Sequence, residues 1–158
     1  MTAESPMTLL RKHPFVEGMK EQHVEQLGAL AREARFERNS VLFREEDASP
    51  NFYMIVSGMV ALEITPPSGA YRVETLSGGD EFGWSSVMGQ PAVFQARVME
   101  NLHALVLDAE MLRAAFEKDP AFGYDFMRRL LAVVSDRLHA TRLLVMDSHW
   151  PVAKAAGA

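Results

Sequence analysis

The sequence predicts an α+β domain: a β jelly-roll (double-stranded β-helix) barrel with N-terminal helices and one long C-terminal helix. Three observations carry that prediction. Short β-prone runs separated by turn residues fill the middle of the chain from about residue 36 to residue 107. Four of the ten glycines (Gly78, Gly79, Gly83, Gly89) crowd into twelve residues within that region. After residue 119 the period changes to helical and stays so for about seven turns.

The 158 residues suit one domain with room for a sizeable core. There are no cysteines, which excludes disulfides, thiolate metal sites and cysteine nucleophiles. A net charge of −5 argues against a large nucleic-acid surface. No signal-peptide pattern and no bilayer-length apolar run is present, so the expected setting is cytoplasmic, with no membrane partner.

Residues 1–12 read as a tail running into a short helical segment, broken at His13-Pro14. Glu21 to Glu33 reads as a surface helix with Val24, Leu27, Leu30, Ala31 and Ala34 on one face. Phe36 and Val41 to Phe43 suggest strand, with turns at Asn39-Ser40 and Asp47 to Asn51. Phe52 to Val56 is a further strand, closed by Ser57-Gly58. Val60, Leu62 and Ile64 alternate with Ala61, Glu63 and Thr65, and Tyr71, Val73 and Thr75 alternate after the Pro66 to Gly69 loop. Phe94 to Met99 and Leu102 to Leu107 read as a last pair of strands around Glu100-Asn101. Asp108 is placed to cap a helix over Ala109 to Lys118. Pro120 at N1 starts the long helix, predicted over 120–147, with Phe122, Phe126, Leu130, Val133, Val134, Leu138, Thr141 and Leu144 or Val145 at helical spacing. Residues 148–158 are expected to be a flexible tail.

The glycine-dense stretch GGDEFGWSSVMGQPAVFQARVME (78–100) is the expected site. A short helix between Gly83 and Gly89 aims free N–H groups at whatever lies over Gly83, Trp84 and Ser85, an arrangement that favours anions. The stretch resembles the phosphate-binding cassette of the cyclic-nucleotide-binding domains of the catabolite-activator (Crp/Fnr) superfamily, whose pattern reads G-D-x-F-G-E and then P-R-[ST]-A. Gly79-Asp80, Phe82-Gly83, Pro91 and Arg97 match without gaps. The upstream family pattern F-x-E-G-D…Y-x-I-x-S-G is met by Phe43, Glu45, Asp47, Tyr53, Ile55, Ser57 and Gly58, with Glu46 in place of the pattern's glycine. The turn at Glu46 is therefore expected to differ locally. The resemblance spans about residues 13 to 146 and makes 13–147 one domain.

The resemblance implies a non-catalytic sensor, with a cyclic nucleotide or another small-molecule effector held by Phe82, Gly83, Trp84, Ser85, Ser86, Ala92 and Val93. The family's long helix adds an arginine and a threonine, matched by Arg137 and Thr141 in R-L-x-x-T. Two departures stand out. The family's ribose-binding glutamate is Trp84 and its phosphate-binding arginine is Ala92. Removing one partner of a desolvated charge pair costs about 2–5 kcal/mol, so binding of cyclic AMP or cyclic GMP in the usual way is not expected. Arg97 is expected to make a structural ion pair. For Arg137 and Thr141 the alternative to ligand contact is a surface ion pair with Asp136 or Glu117 and a place in a helix seam.

The resemblance also implies a homodimer through 120–147, the alternative being a helix packed wholly on its own barrel. Alternative functions are a ligand-free dimeric interaction module, or a transcription regulator of the same type. The dozen residues after position 146 are too few for a helix-turn-helix. Nothing points to an enzyme. Gly83-Trp84-Ser85-Ser86-Val87 lacks the closing glycine of a nucleophile elbow, and the five histidines show no ligand spacing.

Overall fold

The computed structural model describes residues 3–156, with side chains as far as Asp147. Helices α1 (Pro6–Arg11) and α2 (Glu21–Leu30) flank a 3-10 turn at Pro14–Val16. Six strands follow: β1 (Ala31–Phe36), β2 (Val41–Phe43), β3 (Asn51–Ile64), β4 (Tyr71–Leu76), β5 (Glu81–Phe82) and β6 (Gln95–Asp108). A short helix α3 (Trp84–Val87) lies between β5 and β6, and α4 (Ala109–Lys118) and α5 (Pro120–Ala156) complete the chain. This is the expected α+β jelly roll.

Two strands of fourteen residues, β3 and β6, run antiparallel through the whole barrel. Each serves two half-sheets. The first half of β3 pairs with β5 and the second half with β4, while β2 and β1 pair with the first and second halves of β6. The sequence reading split each of these strands in two. They are continuous because Gly58, at φ 103°, bulges β3 opposite Asn101 of β6. A Cβ at Gly58 would lie 2.3 Å from the Asn101 carbonyl oxygen, so only glycine lets the two strands bend together.

Alternation sorts the core into two layers. Phe52, Met54, Leu105 and Leu107 point out of the barrel onto the helices, against Phe15, Leu27, Phe122 and Phe126. Tyr53, Ile55, Ala104 and Val106 point into it, with Val60, Leu62, Leu76, Phe82 and Val98. Both faces of these strands are buried, so they read as continuous apolar runs.

Two boundaries and one turn differ from expectation. Helix α2 ends at Leu30, because Ala31 to Phe36 pair in register with Leu107 to Leu102 of β6, and sheet pairing overrides the helix propensity of Ala, Arg and Glu. Glu46 takes a left-handed φ of 70°, the conformation the absent glycine would adopt freely, held by bonds from Glu46 N to the Ala92 carbonyl (2.8 Å) and from Asp47 N to the Arg44 carbonyl (3.2 Å). Helix α5 continues past Asp147 to Ala156, where a tail was expected; Ala153-Lys154-Ala155-Ala156 supplies strong helix formers.

Helix α5 has two apolar faces. Phe122, Phe126, Leu130 and Val133 are buried against the helix's own barrel and α4. Tyr124, Leu131 and Leu138 repeat every seven residues on another face, and each is about two-thirds exposed (68%, 68% and 70%). The single stripe read from the sequence mixed these faces. No helix among the described residues is long and apolar enough to cross a membrane.

Candidate functional site

Strand β5 pairs with Tyr53 and Met54 of β3, and the Phe82 ring stacks on Tyr53 with centroids 4.6 Å apart and planes parallel. The chain then turns at Gly83, in the left-handed region at φ 85°. A Cβ there would sit 2.7 Å from the Asn51 carbonyl oxygen, so the turn demands glycine. Helix α3 follows, with Ser85, Ser86 and Val87 buried. The Ser86 hydroxyl donates to the Gly83 carbonyl at 2.6 Å and closes the turn. From outside, Arg113 Nη1 on α4 donates to the Ser86 carbonyl at 2.6 Å. The second arm of the stretch is fixed by the Ala92 N–H on the Asp47 carbonyl (2.9 Å).

These residues enclose a cavity of about 10 Å³, lined by Phe43, Ser49, Leu62, Phe82, Gly83, Trp84, Ser85, Ala92, Val93 and Phe94. That is room for about one water molecule. Its walls are apolar apart from two serines, and no ionisable side chain lines it. The Ser49 hydroxyl is buried without a hydrogen-bond partner. Six predicted site residues, Phe82, Gly83, Trp84, Ser85, Ala92 and Val93, therefore meet at one place. Ser86 lies behind it, facing a separate cleft with Arg113.

Arg137 and Thr141 are not brought to this cavity. Arg137 is buried (6% exposed) and reaches back into the barrel, where Nη2 donates to the Glu81 carbonyl at 2.7 Å and Nη1 to Glu74 Oε1 at 3.2 Å. The surface pair with Asp136 or Glu117 weighed from the sequence is thus replaced by a buried tie to β4 and β5. The Thr141 hydroxyl donates to the Arg137 carbonyl of its own helix at 2.9 Å. Arg97 makes its expected ion pair outside the barrel. Its Nε donates to Glu63 Oε1 at 3.0 Å, and Gln95 Nε2 donates to the same oxygen at 2.9 Å.

The local electrostatics centre on Arg137 rather than on the cavity. Burial pushes the Glu81 carboxyl up to about 7, opposed by Arg137 and reinforced by Asp80, Asp136 and Glu74. Burial likewise raises Glu74 despite its pair with Arg137. At the base of the loop before β5, His13 is buried and accepts the Phe15 N–H on Nδ1 at 3.1 Å. Its Nε2–H donates to the Asp80 carbonyl, also at 3.1 Å. Burial holds this imidazole below its ordinary value. Among the described residues no cluster of three histidines or carboxylates is arranged to hold a metal ion.

Sequence reasoning missed Arg113, Ser49, Glu74 and Glu81. Arg113 and Glu74 sit in segments with no motif, and Glu81 fills the unspecified position of the G-D-x-F-G pattern.

Comparison with known proteins agrees with the fold. The family model described as the cyclic nucleotide-binding domain matches residues 33–119, more than half of the chain. Glutaminase 1 of Bradyrhizobium diazoefficiens is 27% identical over 134 residues, covering 83% of this chain and 21% of that protein. The nitrogen fixation regulation protein FixK of Azorhizobium caulinodans is 30% identical over 95 residues, covering 60% of this chain and 38% of that one. The chain thus spans well under half the length of either curated relative. Among solved structures, a putative cyclic nucleotide-binding protein from Geobacter metallireducens superposes with a TM-score of 0.75 at 24% identity, over 87% of this chain and all of that one. The barrel and the glycine turn at 83 accord with the family match, and the chain belongs to the cyclic nucleotide-binding domain family.

Proposed function

We propose that this chain is a non-catalytic regulatory module that does not take cyclic AMP or cyclic GMP in its family's usual manner. The cavity of about 10 Å³ carries this reading, because it is walled by Trp84 and Ala92 where the family pattern has a glutamate and an arginine. Small-molecule sites ordinarily offer a few hundred Å³ or more. A cyclic phosphate entering here would also give up water with no cationic side chain to receive its charge. Partial matches to a glutaminase and to a nitrogen fixation regulator support a module that serves different outputs.

The module works as a homodimer through α5. The heptad of Tyr124, Leu131 and Leu138 supports this, being the spacing of a two-stranded seam. A second reading, a ligand-free interaction module, is favoured by the filled cavity. In the first reading a small uncharged effector displaces Trp84; in the second nothing does.

Calorimetric titration with cyclic AMP and cyclic GMP, each to millimolar concentration, tests the proposal. The wild-type chain is expected to give no saturable heat, and saturable binding at micromolar concentration would overturn the reading. A thermal-shift series with small uncharged metabolites separates the two versions. A saturable rise in Tm that Trp84→Ala shifts to lower metabolite concentration, because no indole then has to be displaced, identifies a sensor, and a flat series identifies the interaction module.

A further inference from the structure

The joint between α5 and the barrel is built around one buried cation. Arg137 is the buried arginine among the described residues, and it is underbonded. Two of its nitrogens are engaged by the Glu81 carbonyl and by Glu74, while its Nε and Glu74 Oε2 are both buried without partners. Beside this joint a cleft of about 350 Å³ separates α5 from the barrel. It sets Asp80 and Glu81 of the barrel against Asp136 and Arg129 of α5. Arg129 is already committed, to Asp125 and to the carbonyls of Phe15 and Glu17. The other charge that α5 brings to this cleft is the carboxylate of Asp136. On the barrel side, His13 bonds the Asp80 carbonyl, and its burial disfavours a second positive charge there.

We propose that Glu81 and Arg137 form a proton-operated clasp that docks α5 on the barrel when Glu81 is protonated and releases α5 from about Val133 onward when that proton leaves. Protonated, Glu81 adds no charge to a pocket that already holds Glu74, Asp80 and Asp136 around one arginine. Deprotonated, it places a further, half-buried carboxylate opposite Asp136. Releasing α5 rehydrates Glu81, Glu74 and Arg137 together.

The sign follows from linkage. The docked form holds the Glu81 proton up to about pH 7, against an ordinary 4.5 in the hydrated released form. Rising pH through 7 therefore favours release, and the 2.5-unit difference allows at most about a 300-fold change in the docked-to-released ratio. Strand β5 consists of Glu81 and Phe82 alone, and Phe82 walls the cavity and stacks on Tyr53. Movement at the clasp is thus one residue from the cavity. The clasp uses no residue that lines the cavity, so it stands whether or not the cavity takes an effector.

The chain has no cysteines, so two introduced ones label cleanly. Ser77→Cys on the exposed loop after β4 and Ser135→Cys on the exposed side of α5 carry a fluorescence donor and acceptor, with excess unlabelled chain added to suppress transfer between copies. Transfer efficiency is expected to fall between pH 5.5 and 8.5 with a midpoint near 7. In Glu81→Gln it is expected to stay at the low-pH value throughout, because a neutral amide mimics the protonated acid. Asp136→Asn, which removes one of the carboxylates that raise Glu81, is expected to move the midpoint to lower pH, and a midpoint that stays in place or rises overturns the clasp as stated. A wild-type efficiency flat across this range, or a pH response retained in Glu81→Gln, overturns the proposal.

Discussion

Arg113 of α4 donates to the carbonyl of Ser86, inside the four-residue helix α3, at 2.6 Å. The same carbonyl accepts the Gly89 N–H at 3.0 Å, so the guanidinium caps the end of α3 and ties it to α4. Hydrogen bonds from charged donors contribute about 1.5–3 kcal/mol, and Arg113 is only half-buried. Arg113→Met, which keeps the apolar stem, is expected to lower stability by about 1–2 kcal/mol. Urea unfolding measures this, and a change below about 0.5 kcal/mol would show that water replaces the guanidinium without loss.

His13 and Glu81 give opposite pH dependences from neighbouring positions. Burial holds the His13 imidazole below 6.5, so its contribution is complete above pH 6.5 and is lost as pH falls through the lower folded value. Protonation also removes the Nδ1 lone pair that accepts the Phe15 N–H. Burial raises Glu81 to about 7, so its contribution is present below pH 4.5 and is lost as pH rises towards 7. Unfolding free energies measured from pH 4 to pH 8 are expected to flatten at the acid end in His13→Gln and on the approach to neutrality in Glu81→Gln. Identical pH profiles for wild type and His13→Gln would remove the histidine from this account.

The sequence made the strands legible by alternation, as at Val60, Leu62 and Ile64, and as a continuous β-prone run where both faces are buried, as at Phe52 to Ile55. It could not show that β3 and β6 run unbroken through Gly58 and Asn101, because a bulge and a hairpin carry the same local turn residues. Ala31 to Ala34 read as helix because propensity is local and the pairing with Leu107 to Ala104 is not. Six of the nine expected site residues line one cavity because the glycine spacing fixes a backbone path, and that path gathers them. Arg137 was found by motif and misplaced. An arginine four residues before a threonine says which helix face it occupies, and not that a carbonyl and a carboxylate will draw it into the barrel. Tyr124 and Leu131 went unnoticed because an inward stripe at three- and four-residue spacing overlaps an outward one at seven.

That outward stripe yields the last expectation. Leu131 and Leu138 are exposed on α5, while Leu130, one residue from Leu131, is buried against the barrel. If α5 pairs with a second copy, each exposed leucine is buried twice, once per protomer. At about 1.5 kcal/mol or more per leucine side chain, one substitution removes about 3 kcal/mol from the dimer, a hundredfold or more in its dissociation constant. Leu131→Glu and Leu138→Glu are therefore expected to elute as folded monomers at concentrations where the wild-type chain is dimeric by light scattering, with unchanged far-ultraviolet circular dichroism. Leu130→Ala is expected to behave in the opposite way, lowering stability by about 2–5 kcal/mol through the cavity it leaves while keeping the seam. A wild-type chain that scatters as a monomer at 100-fold dilution and at high concentration alike, or a Leu138→Glu variant that stays dimeric, would return α5 to the role of a helix packed on its own barrel.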